Sequence, residues 1–86
     1  MVLFHGTATR FTASIFDKGL IKKNRQHVHL SATRSTATSV GQRHGKPVVL
    51  QINSEQMHKK GYEFYLSKNA VWLTDHVPVQ YISEAD

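Results

Sequence analysis

The chain has 86 residues, 40% hydrophobic and 20% charged, which suits one small ordered domain with a thin core and excludes a disordered or multidomain protein. Eleven basic against six acidic residues give a formal charge of +5, which attracts phosphate-bearing partners, and the lack of cysteine excludes disulfides and thiolate metal sites. No apolar run approaches the roughly 20 residues that cross a bilayer, and the apolar N-terminal stretch is too short for a secretory signal, so a soluble, cytoplasmic chain with no membrane partner is expected.

Val2 to Phe4 is β-prone and reads as a buried strand that ends in a loop at His5-Gly6-Thr7. Phe11, Ile15 and Phe16 follow at helical spacing, with Lys18 in the last turn and Gly19 placed to terminate the helix. A polar loop is expected from Ile21 to Gln26. The segment 27–31 alternates like a strand, with Val28 and Leu30 on one face and His27 and His29 on the other. Thr33 to His44 reads as a helix stopped by Gly45, Lys46 and Pro47, and its hydroxyl-rich start needs packing to hold it. Val48 to Ile52 is a continuous apolar run and the best candidate for a central strand. Asn53 is placed to cap a short helix through Lys60, with Gly61 ending it. Three β-prone segments close the chain, 63–66, 70–73 and 77–82, with Asn69 and Asp75 in the connecting turns. Helices alternate with strands early and strands follow strands late, which predicts an α+β domain with a small, bent, mixed sheet and short helices.

Several constellations carry chemistry. Gly6, between an imidazole and a hydroxyl, lets a ligand approach the backbone, or simply makes a turn. His27 and His29 lie two apart on one strand face and could begin a zinc site, but no third local ligand accompanies them. Hydrogen-bonded histidines and no metal are the expectation. Ser31 to Ser39 places hydroxyls at a helix start between Arg34 and Arg43, which reads either as an anion site or as a solvated helix face. Lys18, Lys22, Lys23, Arg25, Arg34, Arg43 and Lys46 all precede Pro47, and no aromatic residues interleave with them, so base stacking is not indicated. The nucleophile elbow, the dinucleotide glycine fingerprint and the phosphate-loop pattern are all missing. Trp72 sits between apolar neighbours and reads as core.

Taken together, 3–8, Gly19-Leu20-Ile21, Arg25 to Ser31, Val40 to Gly45, 47–50, Phe64-Tyr65 and Asn69 to Thr74 resemble the second half of the tRNA (RNA) 2′-phosphotransferase family. The resemblance spans nearly the whole chain, in order and at the family's spacing. It implies that residues 1–86 form a single NAD⁺-binding lobe of split-sheet, ADP-ribosyltransferase-like fold. It places His5, His29 and Val71 along the NAD⁺ cleft. Gly6, Thr7 and Ser31 are implied to grip the nicotinamide–ribose end, Arg43 to be the catalytic arginine facing the phosphates, and Asn69 to be a further contact.

The implied reaction moves an internal RNA 2′-phosphate to NAD⁺, releasing nicotinamide and ADP-ribose 1″,2″-cyclic phosphate. The family also carries an N-terminal, RNA-binding lobe of winged-helix type, to which nothing in these 86 residues corresponds, so RNA is expected as a partner only together with that lobe. Two other readings stand beside this one. The first is a stand-alone ADP-ribosyltransferase of protein or nucleic acid, against which the absence of an acidic residue at Val71 speaks. The second is a non-catalytic module that binds RNA or ADP-ribose.

Overall fold

Leu3 and Phe4 open strand β1 (Leu3–Ala8), which continues through His5, Gly6 and Thr7 instead of ending at Phe4 as the sequence suggests. Its partner decides its length. In this computed structural model, which describes residues 2–85, β4 (Pro47–Ile52) pairs antiparallel with all of β1, from Leu3↔Ile52 to Ala8↔Pro47. A complete ladder on one edge keeps the backbone extended even at glycine. β4 is central as expected, because its other edge takes β8 (Ile82–Glu84). Met1 and Asp86, the ends of the expected 1–86 lobe, lie outside the described residues.

α1 (Thr9–Lys18) follows β1 directly and ends at Gly19, whose φ is 81° and whose N–H donates to the Ile15 carbonyl. Ile15 packs on the core, while Phe11 lies edge-on to His44 instead, with ring centroids 6.4 Å apart. The expected loop begins one residue late. Leu20–Ile21 forms β2, which pairs with β7 (His76–Val77).

β3 (Val28–Leu30) buries Val28 and Leu30 and turns His29 outward, as the alternation predicts. Thr33 caps α2 (Arg34–Gln42), its hydroxyl accepting the Thr36 N–H at 3.2 Å. Asn53 likewise caps α3 (Ser54–Lys59) by accepting the Gln56 N–H at 3.1 Å. β6 (Trp72–Thr74) lies between β3 and β5 (Tyr65–Leu66). The expected strand 77–82 is two strands. Pro78, which lacks an N–H, leads into a 3₁₀ turn at Val79–Tyr81, so β7 and β8 join different sheets.

The mixed sheet expected from the sequence is realised as small sheets, β1-β4-β8, β2-β7 and β3-β6-β5, whose pairs are all antiparallel. Among the described residues a single bridge, Phe4↔Ser31, joins the first to the third. The core lies between them, with Leu50, Ile52, Met57 and Val77 all at 0% exposure. Each such side chain contributes about 1.5–3 kcal/mol by leaving water.

α2 packs on β1 and β4 at a distance that only glycine permits. A Cβ on Gly6 would stand 1.7 Å from the Ala37 carbonyl oxygen, and one on Gly41 2.6 Å from that of Thr7. Among the described residues no helix is long and apolar enough to cross a membrane.

Candidate functional site

The single bridge between β1 and β3 creates an opening. Phe4 and Ser31 exchange two backbone hydrogen bonds, at 2.8 and 2.7 Å. In an antiparallel ladder such pairs recur at every second residue, so Gly6 and His29 would form the next. They do not. The His29 carbonyl instead accepts the His5 imidazole, Nδ1 to oxygen 2.9 Å, and no further backbone bond crosses between β1 and β3 among the described residues.

Gly6 shares the parity of Phe4, so its N–H and C=O point toward β3 and away from the β4 ladder. They open into the split. The Cα of Gly6 is covered by α2, so the missing side chain serves helix packing, and its peptide groups remain available.

The two imidazoles differ in environment. His5 is half-buried, and desolvation holds its pKa below the ordinary value, only partly opposed by its bond to the His29 carbonyl. The charges of His44, His29 and Arg25 push it further down. His29 is exposed, and its pKa is also lowered, by partial desolvation first and then by Arg25 and His27. Arg25 touches it directly, the guanidinium donating to His29 Nδ1 at 2.9 Å. Both rings are therefore neutral at neutral pH.

Other expected residues gather around this pair. Ser31 is half-buried at the bridge, and Thr7 is buried two residues beyond His5. Val71 precedes β6 and is pinned to Ser67, its N–H donating to Ser67 Oγ at 3.1 Å and its carbonyl accepting the Ser67 N–H at 2.9 Å. The β3–β6 register ends at Leu30↔Trp72, the pair that Ser31 follows and Val71 precedes in the chain. Three neighbouring segments thus bring His5, Gly6, His29, Ser31 and Val71 together.

Arg43 and Asn69 make no side-chain hydrogen bond to this group among the described residues. Arg43 is exposed at the end of α2, with no side-chain hydrogen bond or ion pair among the described residues, and it is not one of the charges that depress His5. Asn69 is exposed in the turn between Ser67 and Val71. The influence of Arg25 and His44 on the imidazoles was not legible in the sequence. No local spacing announces them, because irregular chain separates Arg25 from His29 and 38 residues lie between His5 and His44.

The hydroxyls at the start of α2 serve their own helix. Thr33 bonds the Thr36 N–H and hydroxyl, and Thr38 bonds the Arg34 carbonyl. His27 leans toward the Tyr65 ring, centroids 5.8 Å apart. Among the described residues no group of three or more His, Cys, Asp or Glu is placed to hold a metal ion.

A cavity of about 440 Å³ lies elsewhere, lined by Ser54, Glu55, His58, Glu63, Phe64 and Trp72. A second groove runs between α1 and β8. Neither contains any of the expected site residues. The split differs from both in bringing an imidazole and unpaired peptide groups together, the kind of polar group that fixes a ligand's orientation.

Residues 1–76 match the RNA 2′-phosphotransferase, Tpt1 / KptA family. The chain belongs to that family. It is 65% identical over 85 residues to a probable RNA 2′-phosphotransferase of Acaryochloris marina, covering 99% of this chain and 47% of that protein. Similar proteins of the same description occur in Pseudomonas aeruginosa, 54% identical over 98% of this chain and 46% of the relative, and in Agrobacterium fabrum, 59% identical over 94% and 44%. The chain therefore spans about half the length of the curated relatives it matches. His5, Arg25, His29, Arg43 and Val71 all fall within the family match.

Proposed function

We propose that this chain is the NAD⁺-binding lobe of an enzyme that transfers an internal RNA 2′-phosphate to NAD⁺, and that the dinucleotide lies in the split between β1 and β3. The supporting observation is the replacement of a ladder bond by the His5 imidazole, which leaves the Gly6 peptide groups without a β3 partner beside His5. A positive formal charge of +5 favours both polyanionic substrates.

In this reading Gly6, Thr7 and Ser31 hold the nicotinamide–ribose end through peptide groups and hydroxyls. His5 and His29 contact the dinucleotide as neutral hydrogen-bonding groups, Val71 supplies an apolar wall, and Asn69 adds a contact from its turn. A 2′-phosphate oxygen of the RNA bonds to C1″ of the nicotinamide ribose, and the C1″–nitrogen bond breaks as neutral nicotinamide leaves. The ribose 2″-oxygen then bonds to phosphorus, and the RNA 2′-oxygen departs with the proton given up by the 2″-hydroxyl. Dephosphorylated RNA and ADP-ribose 1″,2″-cyclic phosphate result.

Such chemistry asks for charge neutralisation at phosphate and an ordered ribose, not for a nucleophile in the protein. Arg43, exposed and held by no partner among the described residues, is the guanidinium assigned to the phosphate, where it can bind two oxygens at once. The remaining cations and the RNA-binding surface belong to a second lobe. The chain is assigned to the cytoplasm, with no metal in the reaction.

Calorimetric titration of the chain with NAD⁺ and with ADP-ribose, up to millimolar concentration, tests this reading. Saturable binding that weakens in Arg43→Ala supports it. No heat with either ligand contradicts it.

A further inference from the structure

The two imidazoles at the split are held through different surroundings of the same ring atom. His5 Nδ1 lies 2.9 Å from the His29 carbonyl oxygen, which can only accept. Neutral His5 therefore carries its proton on Nδ1, and its Nε2 keeps a lone pair. His29 Nδ1 lies 2.9 Å from a guanidinium nitrogen of Arg25, which can only donate. Neutral His29 therefore carries its proton on Nε2. We propose that Arg25 is a positioning residue that fixes His29 in the Nε2–H form, so that the pair offers an acceptor from β1 at His5 Nε2 and a donor from β3 at His29 Nε2.

The backbone around Arg25 suits that role. Its N–H donates to the Lys22 carbonyl at 2.9 Å, closing a turn in which Lys23 adopts a φ of 51°. The guanidinium thus projects from a closed turn rather than from a loose end. His29 is tied twice, through its ring to Arg25 and through its backbone carbonyl to His5.

The charged and titratable groups acting on the pair are Arg25 and His27 at His29, and His44, His29 and Arg25 at His5. All are basic, so each disfavours the imidazolium. Protonation of His29 would set an Nδ1–H against the Arg25 donor and break the contact. The device belongs to the neutral ring.

This assignment rests on the proposed cleft only for its purpose. The tautomers themselves are a property of the free chain, so they can be read without NAD⁺ and fail independently of it. Long-range ¹⁵N–¹H spectra of the ¹⁵N-labelled chain at pH 8 distinguish the protonated from the bare nitrogen in each ring. The expected result is a protonated Nδ1 in His5 and a bare Nδ1 with a protonated Nε2 in His29.

In Arg25→Leu, His29 is expected to exchange between tautomers and to titrate at higher pH, while His5 keeps its Nδ1–H. Arg25→Lys, which retains a donor and a charge, is expected to fall between Leu and the wild type. Arg25 is exposed, so both variants are expected to fold, and retained dispersion of the backbone amide spectrum checks this. A protonated Nδ1 on His29 in the wild type overturns the proposal. So does an Arg25→Leu variant whose His29 keeps both the tautomer and the titration midpoint of the wild type.

Discussion

His5 sits where the strand needs a donor and the chain supplies an imidazole in place of a peptide. Burial keeps that ring neutral, with a folded pKa below the ordinary value near 6.5. The sign of its effect on stability follows from which state binds protons first. Above about pH 6.5 the ring is neutral in both folded and unfolded chains and has no effect. As pH falls below that, the unfolded chain takes up the proton first, and stability drops until the folded pKa is passed. Urea unfolding at pH 7.5 and 5.5 is therefore expected to show a loss of stability that is smaller in His5→Gln than in the wild type. An equal pH dependence in the two proteins would remove His5 as a cause. The sequence offered His5 and His29 as candidates, because imidazoles beside glycine and on an alternating strand are recognisable. It did not reveal that the ring of one would hold the carbonyl of the other, since that contact spans 24 positions and depends on where the strands part.

At the scale of elements, local signals and long-range pairing divide the outcome between them. The Gly19 end of α1, the Asn53 cap of α3 and the apolar run of β4 were legible because each depends on residues a few positions apart. The continuation of β1 through Gly6 was not, since it is imposed by β4 more than 40 positions away. The break of 77–82 at Pro78 was also hidden behind β-prone residues. Gly6 has a packing role that its sequence neighbours do not announce: its missing side chain admits α2. Gly6→Ala is accordingly expected to cost about 3 kcal/mol or more, from overpacking against the Ala37 carbonyl, which backbone cannot easily yield. Removing the α2 cap with Thr33→Ala is expected to cost less, about 0.5–2 kcal/mol. Chemical denaturation of the two variants checks both the size and the order of these effects.

For the whole molecule, a thin core joins sheets that touch through one bridge, so the packing between them must hold the split in shape. Leu50, fully buried beneath the centre of β4, is the clearest probe of that packing. Leu50→Ala is expected to lose about 2–5 kcal/mol, a large share of the total stability of a domain this size, and thermal unfolding measures it. The family was legible from motifs spread along the entire chain, while the place where those motifs meet required the fold. In the proposed function the dinucleotide occupies the opening between β1 and β3. A titration of the ¹⁵N-labelled chain with NAD⁺, followed residue by residue in amide spectra, tests it most directly. The largest shifts are expected at Gly6, His29, Ser31 and Val71; shifts confined to Ser54, His58, Phe64 and Trp72, around the cavity beside α3, would contradict this placement.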